Sequence, residues 1–165
     1  LFSSQIGTLG VVFVVILTMF VVLFRSFYLA AIGMIPNLLA ASVVLGTMGW
    51  MKVPLDIMTI TVAAISIGMA VDNTIHYIHR FKLEFKKTSN YEVSMRNSHN
   101  TIGRAMFYTS ATIIIGFLVL VTSNFNPTVY FGLFVSLAMF MALMGALTLL
   151  PQLLIILKPL GKEES

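Results

Sequence analysis

Five long apolar segments dominate this sequence and constrain its fold more than any other feature. A helix needs about 20 apolar residues to cross the ~30 Å hydrocarbon core of a bilayer, and each segment is long enough. Only 10% of the residues are charged, whereas soluble domains have about 25%. The sequence therefore predicts an all-α membrane protein, in which residues 1–165 form a single domain with a bundle of five transmembrane helices. The predicted spans are approximately 6–24, 28–51, 57–77, 105–123 and 129–157.

One connection, over residues 80–104, is both long and polar. Within it, Ser89 is followed three residues later by Glu92, the pattern of a capping box, which predicts a short amphipathic helix between helices three and four. Such a helix is expected to lie against the lipid headgroups, and the alternative is a docking site for a partner.

The basic residues predict the orientation. Lys52 lies alone at one end of the predicted bundle, while nine basic residues lie at the other end, which the positive-inside rule makes cytoplasmic. The C-terminus is then cytoplasmic and the N-terminus lies outside. The nine residues are Arg25, Arg80, Lys82, Lys86, Lys87, Arg96, Arg104, Lys158 and Lys162.

Asp72 is the only Asp, Glu, Lys or Arg side chain inside the predicted spans. An acid in hydrocarbon costs ~2.5–3.5 kcal/mol on insertion scales, so it marks a site that moves protons, binds an ion or holds another helix. On a helix, Gly68, Asp72, His76 and His79 share one face. His76 is close enough to bond Asp72, and Gly68 leaves room at the acid for the packing of a neighbouring helix.

We call the face with Gly68, Asp72, His76 and His79 the stripe, and three hypotheses account for it. The first is a proton relay through Asp72 and His76, because histidine titrates near neutral pH. The second is a structural role, in which protonated Asp72 bonds a hydroxyl on the fourth or fifth helix. The third is a metal site built from Asp72, His76 and His79, although neither a metal nor a cofactor is the favoured prediction. Additional relay or hydrogen-bond partners in the first hypothesis are His79, Asn73, Thr109 and Ser110.

An ordered set of short motifs runs through nearly the whole chain. It begins with Leu55-Asp56-Ile57-Met58-Thr59, Gly68-Met69-Ala70-Val71-Asp72-Asn73-Thr74-Ile75-His76 and His79-Arg80-Phe81. It continues with Gly103-Arg104-Ala105, Thr109-Ser110-Ala111-Thr112, Gly116-Phe117, Phe131-Gly132-Leu133 and Leu149-Leu150-Pro151. The set resembles the resistance-nodulation-division (RND) superfamily, and within it the hydrophobe and lipid exporters of the MMPL type.

The resemblance implies an architecture and a function. Members have two similar halves, each with one helix, a periplasmic domain and five further helices, and this chain matches the five-helix block of the C-terminal half. Upstream of Leu1 we therefore expect a periplasmic domain and one more span. The implied function is export of lipids or other hydrophobic small molecules from the bacterial inner membrane, driven by the proton-motive force. Asp72 matches the acid of the family's Gly-x-x-x-Asp motif, whereas Asn73 stands where many lipid exporters have tyrosine.

The implied partners are membrane lipids, a hydrophobic substrate, the other half and periplasmic domains of the same transporter, and further copies in a homo-oligomer. No nucleic acid and no enzymatic activity are expected. Two alternatives remain open. One is a sterol-sensing-type regulatory module that binds lipid on the same architecture. The other is a membrane metalloenzyme using Asp72, His76 and His79.

Overall fold

The computed structural model describes residues 2–53 and 57–162, and their backbone is almost entirely helical. The predicted all-α fold is confirmed, since the described residues contain no strand. Leu55 and Asp56 of the first motif lie outside these residues. The α-helices are α1 (Phe2–Phe24), α2 (Phe27–Trp50), α3 (Ile57–Thr88), α4 (Tyr91–Ser98), α5 (Arg104–Val119), α6 (Asn126–Met144) and α7 (Leu150–Leu157).

Two π-helical segments connect these helices without a break. His99–Gly103 joins α4 to α5, and Gly145–Leu149 joins α6 to α7. A 3-10 turn, Leu120–Thr122, follows α5. The described chain therefore forms five continuous helical rods. Three of them are long and apolar enough to cross a membrane, namely Phe27–Trp50, Tyr91–Thr122 and Asn126–Leu157.

Residues 80–104, predicted as a loop with one short helix, are helical almost throughout. α3 continues to Thr88, about three turns beyond the predicted end of its span at Tyr77. Pairing between side chains one turn apart stabilises this polar extension: a guanidinium nitrogen of Arg80 lies 2.8 Å from Oε1 of Glu84. Hydropathy predicts where a helix leaves the lipid. It does not predict where the helix ends, and α3 continues past that point as a polar helix.

The short helix α4 is present, but the predicted capping residue is wrong. Ser89 adopts a left-handed backbone, with φ of 49°, and it ends α3. Asn90 is the N-cap of α4, and its Oδ1 accepts a hydrogen bond from the Val93 N–H at 3.1 Å. Tyr91, the first residue of α4, is fully buried, so this helix packs against the bundle on one side and faces solvent on the other.

Two main apolar cores hold the rods together, and a small third cluster of alanines links α2, α3 and α6. The larger joins α1, α2, α3 and α7 through almost fully buried side chains, among them Phe20, Leu29, Ile78 and Leu150. The smaller lies near the opposite ends of α2, α3 and α6, where Phe134 is fully buried. Close packing of these side chains fixes the position of α3 against its neighbours, since van der Waals contacts hold helices together in lipid.

α5 packs chiefly on α6 and buries little else; Met106 and Ser110 are its buried residues. The approach of these two helices is close at Gly132, where an added Cβ would lie 2.5 Å from the Phe117 carbonyl oxygen and 2.8 Å from Leu120 Cβ. Glycine is therefore required at this crossing, as is common where membrane helices pack tightly.

Candidate functional site

The predicted stripe on α3 lies on an open face of the bundle. Asp72 and His76 are one turn apart, and Asp72 Oδ1 is 3.3 Å from His76 Nε2. Their side chains are 70% and 58% exposed, respectively. Gly68 and His79 are also exposed. The helix therefore presents an acid–imidazole pair on a surface that the described residues of this chain do not cover.

No described residue occupies the space in front of Gly68. A Cβ added to this glycine would meet nothing within 4 Å among the described residues. The predicted role of Gly68, to admit a neighbouring helix, is consequently not used by any described helix of this chain. The geometry leaves room for an element from elsewhere to approach the acid.

The structural hypothesis for Asp72 finds no partner within the part of the chain that the structure describes. His76 provides the only polar contact of the carboxyl group there. Two hydroxyls on the fourth and fifth predicted spans bond elsewhere: Thr112 donates to the carbonyl of Tyr108 on its own helix, and Ser136 donates to the carbonyl of Ile114 across the α5–α6 contact.

The remaining predicted partners are dispersed rather than gathered at the acid. Thr109 is exposed on α5, and Ser110 is fully buried with no hydrogen-bond partner among the described residues. His79 shares the open face without bonding Asp72 or His76. The described residues contain no group of three His, Asp or Glu side chains that could hold a metal ion, which leaves the metalloenzyme alternative without a described ligand set.

Asn73 and Thr74 point inward, behind the acid. Asn73 is 7% exposed, and its Nδ2 has no partner among the described residues. The Thr74 hydroxyl lies 3.2 Å from Asn37 Oδ1 on α2 and 3.0 Å from the Ala70 carbonyl. The Asn37 amide in turn donates to the Gly33 carbonyl at 2.9 Å. The Thr74–Asn37 hydrogen bond therefore joins α2 to α3 on the face opposite the open one.

The third histidine, His99, forms a structural junction within residues 80–104, which were predicted to be a loop. Its Nε2 lies 2.8 Å from the Leu147 carbonyl oxygen, and its Nδ1 lies 2.9 Å from the Tyr77 hydroxyl. Nδ1 also lies 3.1 Å from the Met95 carbonyl oxygen. Each ring nitrogen therefore faces a carbonyl, and the nitrogen that carries the hydrogen donates to the carbonyl in front of it. No local sequence pattern indicates this junction, because Leu147 is 48 residues away and lies in a π segment.

Glu84 forms the main charged cluster beyond the predicted span. Oε1 contacts Arg80 and Lys87, at 2.8 and 3.5 Å, and Oε2 accepts from the Asn97 amide at 3.1 Å. Burial raises the pKa of Glu84, but the Asn97 hydrogen bond and the two positive charges outweigh burial and hold the pKa below its ordinary value. The cluster ties the end of α3 to α4.

Apolar rods of membrane-spanning length, with an acid–imidazole pair on an uncovered face, define a helical membrane protein with a titratable site. The chain belongs to the MMPL family, whose model matches residues 2–163. The predicted resemblance to the MMPL branch of the RND superfamily is thereby confirmed.

Two curated relatives extend this finding. The chain is 28% identical over 155 residues to a membrane protein of Methanocaldococcus jannaschii, covering 94% of this chain and 39% of that protein. It is 25% identical over 163 residues to the hopanoid transporter HpnN of Rhodopseudomonas palustris, covering 98% of this chain and 18% of that protein. The chain thus spans well under half the length of either relative. No solved structure matches it significantly.

Proposed function

We propose that this chain is one half of the membrane domain of a proton-driven exporter of lipids or other hydrophobic small molecules. The observation that carries the proposal is the Asp72–His76 pair, which lies on a face of α3 left open by the described residues. Membership of the MMPL family and similarity to a hopanoid transporter support the class of cargo. Neither relationship suggests an enzyme.

The proposed topology has five spans, adding α1 and α3 to the three apolar rods, with the N-terminus periplasmic and the C-terminus cytoplasmic. Contacts support the grouping of basic residues at one end of the bundle. The Lys82 ammonium donates to the Phe24 carbonyl, beside Arg25, at 3.1 Å. The Lys158 ammonium lies 5.9 Å from the centre of the Tyr91 ring. The positive-inside rule makes this end cytoplasmic, in the inner membrane of a bacterial cell.

The proposed coupling uses a change of charge on the open face. Protonation neutralises Asp72 and removes the cost of placing a carboxylate in a dry helix interface, so it favours close packing of a second helix at Gly68. Loss of the proton favours a more hydrated arrangement. The contact between the Asp72 face of α3 and the other half of the transporter would therefore switch between these two arrangements.

His76 and His79 extend the proposed path towards the cytoplasm. Each is exposed on the same side of α3, one and two turns beyond Asp72. Imidazole exchanges protons near neutral pH, and at these positions water can reach it. His76 would therefore pass protons between Asp72 and the cytoplasmic side, while movement of the helices drives periplasmic domains that carry the cargo. Assembly as a homo-oligomer is part of the same proposal.

The proposal is tested with the full-length protein that contains this chain, expressed in cells lacking their own hydrophobe exporters. Cells preloaded with the hydrophobic dye Nile red should expel it when energised, and a protonophore should reduce efflux to the level of cells without the protein. Efflux that persists after the proton gradient collapses would contradict proton coupling. Binding of dye without efflux would favour the sterol-sensing-type alternative.

A further inference from the structure

A cleft of about 360 Å³ lies between the end of α4 and the start of α7. Its polar lining includes one basic side chain, Arg96, and two amides, Asn100 and Gln152, together with His99 and Thr148. Its apolar wall includes Leu147 and Pro151. Basic and amide groups thus face the same small space as apolar side chains, a combination suited to a ligand with a polar head and a hydrophobic tail.

The side chains of Arg96, Asn100 and Gln152 are available for a ligand. Arg96, Asn100 and Gln152 make no side-chain hydrogen bond or ion pair with any residue that the structure describes. Arg80 differs, because its guanidinium is paired with Glu84. No carboxylate lines the cleft among the residues that the structure describes, 2–53 and 57–162. An unopposed guanidinium beside two amide donors is the chemistry that binds a phosphate group.

The walls of the cleft are held together by His99. This residue also lines the cleft, and its ring bridges the Tyr77 hydroxyl on α3 and the Leu147 carbonyl in the second π segment. Both ring nitrogens are engaged by these bonds, so His99 fixes the two walls at a set separation. The site is therefore formed before any ligand binds, which lowers the entropic cost of binding.

The cleft lies at the depth of lipid headgroups. The rod Asn126–Leu157 has 32 residues, a rise of about 48 Å, whereas the hydrocarbon core is ~30 Å thick. In the proposed topology the rod enters the core near Asn126, and about 20 residues cross it. The turns that include Thr148 and Gln152 then lie beyond the core. The same end of the bundle carries Lys82 and Lys158, at the side proposed to be cytoplasmic. Basic pockets between helices at this level recognise anionic lipid heads.

We propose that this cleft binds the head group of an anionic phospholipid of the cytoplasmic leaflet. Arg96 pairs with the phosphate, the amides of Asn100 and Gln152 donate to its remaining oxygens, and the acyl chains lie against Leu147 and the adjacent apolar surface. This lipid is a bound component that joins α4 to α7, distinct from the exported cargo. The proposal rests on the membrane placement given above and does not require Asp72 to carry protons.

The test is lipid retention by the purified full-length protein. The protein is incorporated into nanodiscs containing phosphatidylglycerol and phosphatidylcholine, released into mild detergent, and examined by native mass spectrometry for bound phosphatidylglycerol. We expect one retained anionic lipid, and about tenfold weaker retention after Arg96→Gln, because a charge-assisted bond is lost. Gln152→Ala should weaken retention to a smaller extent, through an independent contact. Arg96 is exposed and unpaired among the described residues, so Arg96→Gln should remain folded and monodisperse.

Lys86→Gln is the matched control. It removes one exposed positive charge at the same end of the bundle but outside the cleft, and retention should stay within about twofold. Equal loss of bound lipid in Arg96→Gln and Lys86→Gln would mean that retention depends only on overall charge, and it would contradict the proposed site. Displacement of the lipid by excess inorganic phosphate would identify a free-phosphate site instead. Asp72→Asn should leave retention unchanged, so failure of proton coupling is distinguishable from failure of this proposal.

Discussion

Asp72 and His76 lie one turn apart on α3, with Oδ1 of the acid 3.3 Å from Nε2 of the imidazole, and both side chains face outward from the bundle. In the proposed topology α3 spans the membrane, where a carboxyl group is costly when it faces lipid. The arrangement is therefore compatible with the membrane only if another helix or a hydrated interface covers the pair. This requirement is the physical basis for the proposed second half of the transporter.

The orientation can be checked directly because the chain contains no cysteine. A cysteine placed at Lys52 should react with a membrane-impermeant thiol reagent in intact cells, because this turn is proposed to be periplasmic. A cysteine at Ser89 should react only after the cells are permeabilised. Labelling of the Ser89 position from outside, with protection at Lys52, would reverse the topology.

The charged cluster at the end of α3 predicts a loss of stability at low pH. Asn97, Lys87 and Arg80 favour the ionised form and hold the pKa of Glu84 below its ordinary value against the opposing effect of burial. Stabilisation from the carboxylate is therefore present above the ordinary carboxyl pKa, and it is lost as the pH falls through the lowered value.

Glu84→Gln should lower the melting temperature at neutral pH and flatten its dependence on acidic pH. Glu92→Gln is the matched control, since Glu92 is exposed and makes no contact with the charged groups of this cluster in the described part of the chain. Thermal unfolding of both variants in detergent, followed by circular dichroism across the acidic range, measures the difference. An unchanged pH profile in Glu84→Gln would contradict the assigned role of the cluster.

The α5–α6 contact should be sensitive to a single methyl group. Gly132→Ala places a Cβ against the Phe117 carbonyl, where no flexible side chain can move away, and overpacking of this kind costs about 1–3 kcal/mol. Gly116→Ala is a suitable control on the partner helix, because a Cβ there meets nothing within 4 Å among the described residues. Equal thermal stability of the two variants would contradict the close packing.

The sequence was sufficient to predict the helices wherever apolar residues fill a span, because spanning length and hydropathy act locally. It did not predict the extension of α3, which depends on pairing such as that of Arg80 with Glu84 rather than on hydropathy. The cap at Asn90 was also missed, because neighbouring Ser89 offers the same chemistry and only the backbone conformation distinguishes them.

At the candidate site, helical periodicity correctly placed Asp72 and His76 on one face, one turn apart. It could not show that this face is open, since burial depends on how distant segments pack. The contact of His99 with Leu147 was unpredictable for the same reason. Their pairing depends on the two π segments meeting in space, and no short-range sequence pattern predicts that contact.

His76 is predicted to adjust the proton path without being essential to it. His76→Ala in the full-length protein should slow export and shift its pH dependence, because proton exchange with Asp72 would proceed through water alone. His99→Ala is not a suitable comparison, since His99 bridges two helices. His79→Ala is the better control, because it shares the face without contacting Asp72 and should have a smaller effect. Identical pH profiles for wild type and His76→Ala would remove His76 from the relay.

The most direct test of the account is export by full-length protein carrying Asp72→Asn, compared with Asp72→Glu at equal abundance in the membrane. Asparagine keeps the size and hydrogen-bonding capacity of the side chain but cannot titrate, whereas glutamate restores a titratable acid. Proton-dependent efflux of Nile red should fall to background in Asp72→Asn and recover partly in Asp72→Glu. Near-normal, gradient-dependent efflux by Asp72→Asn would contradict the claim that Asp72 carries the proton.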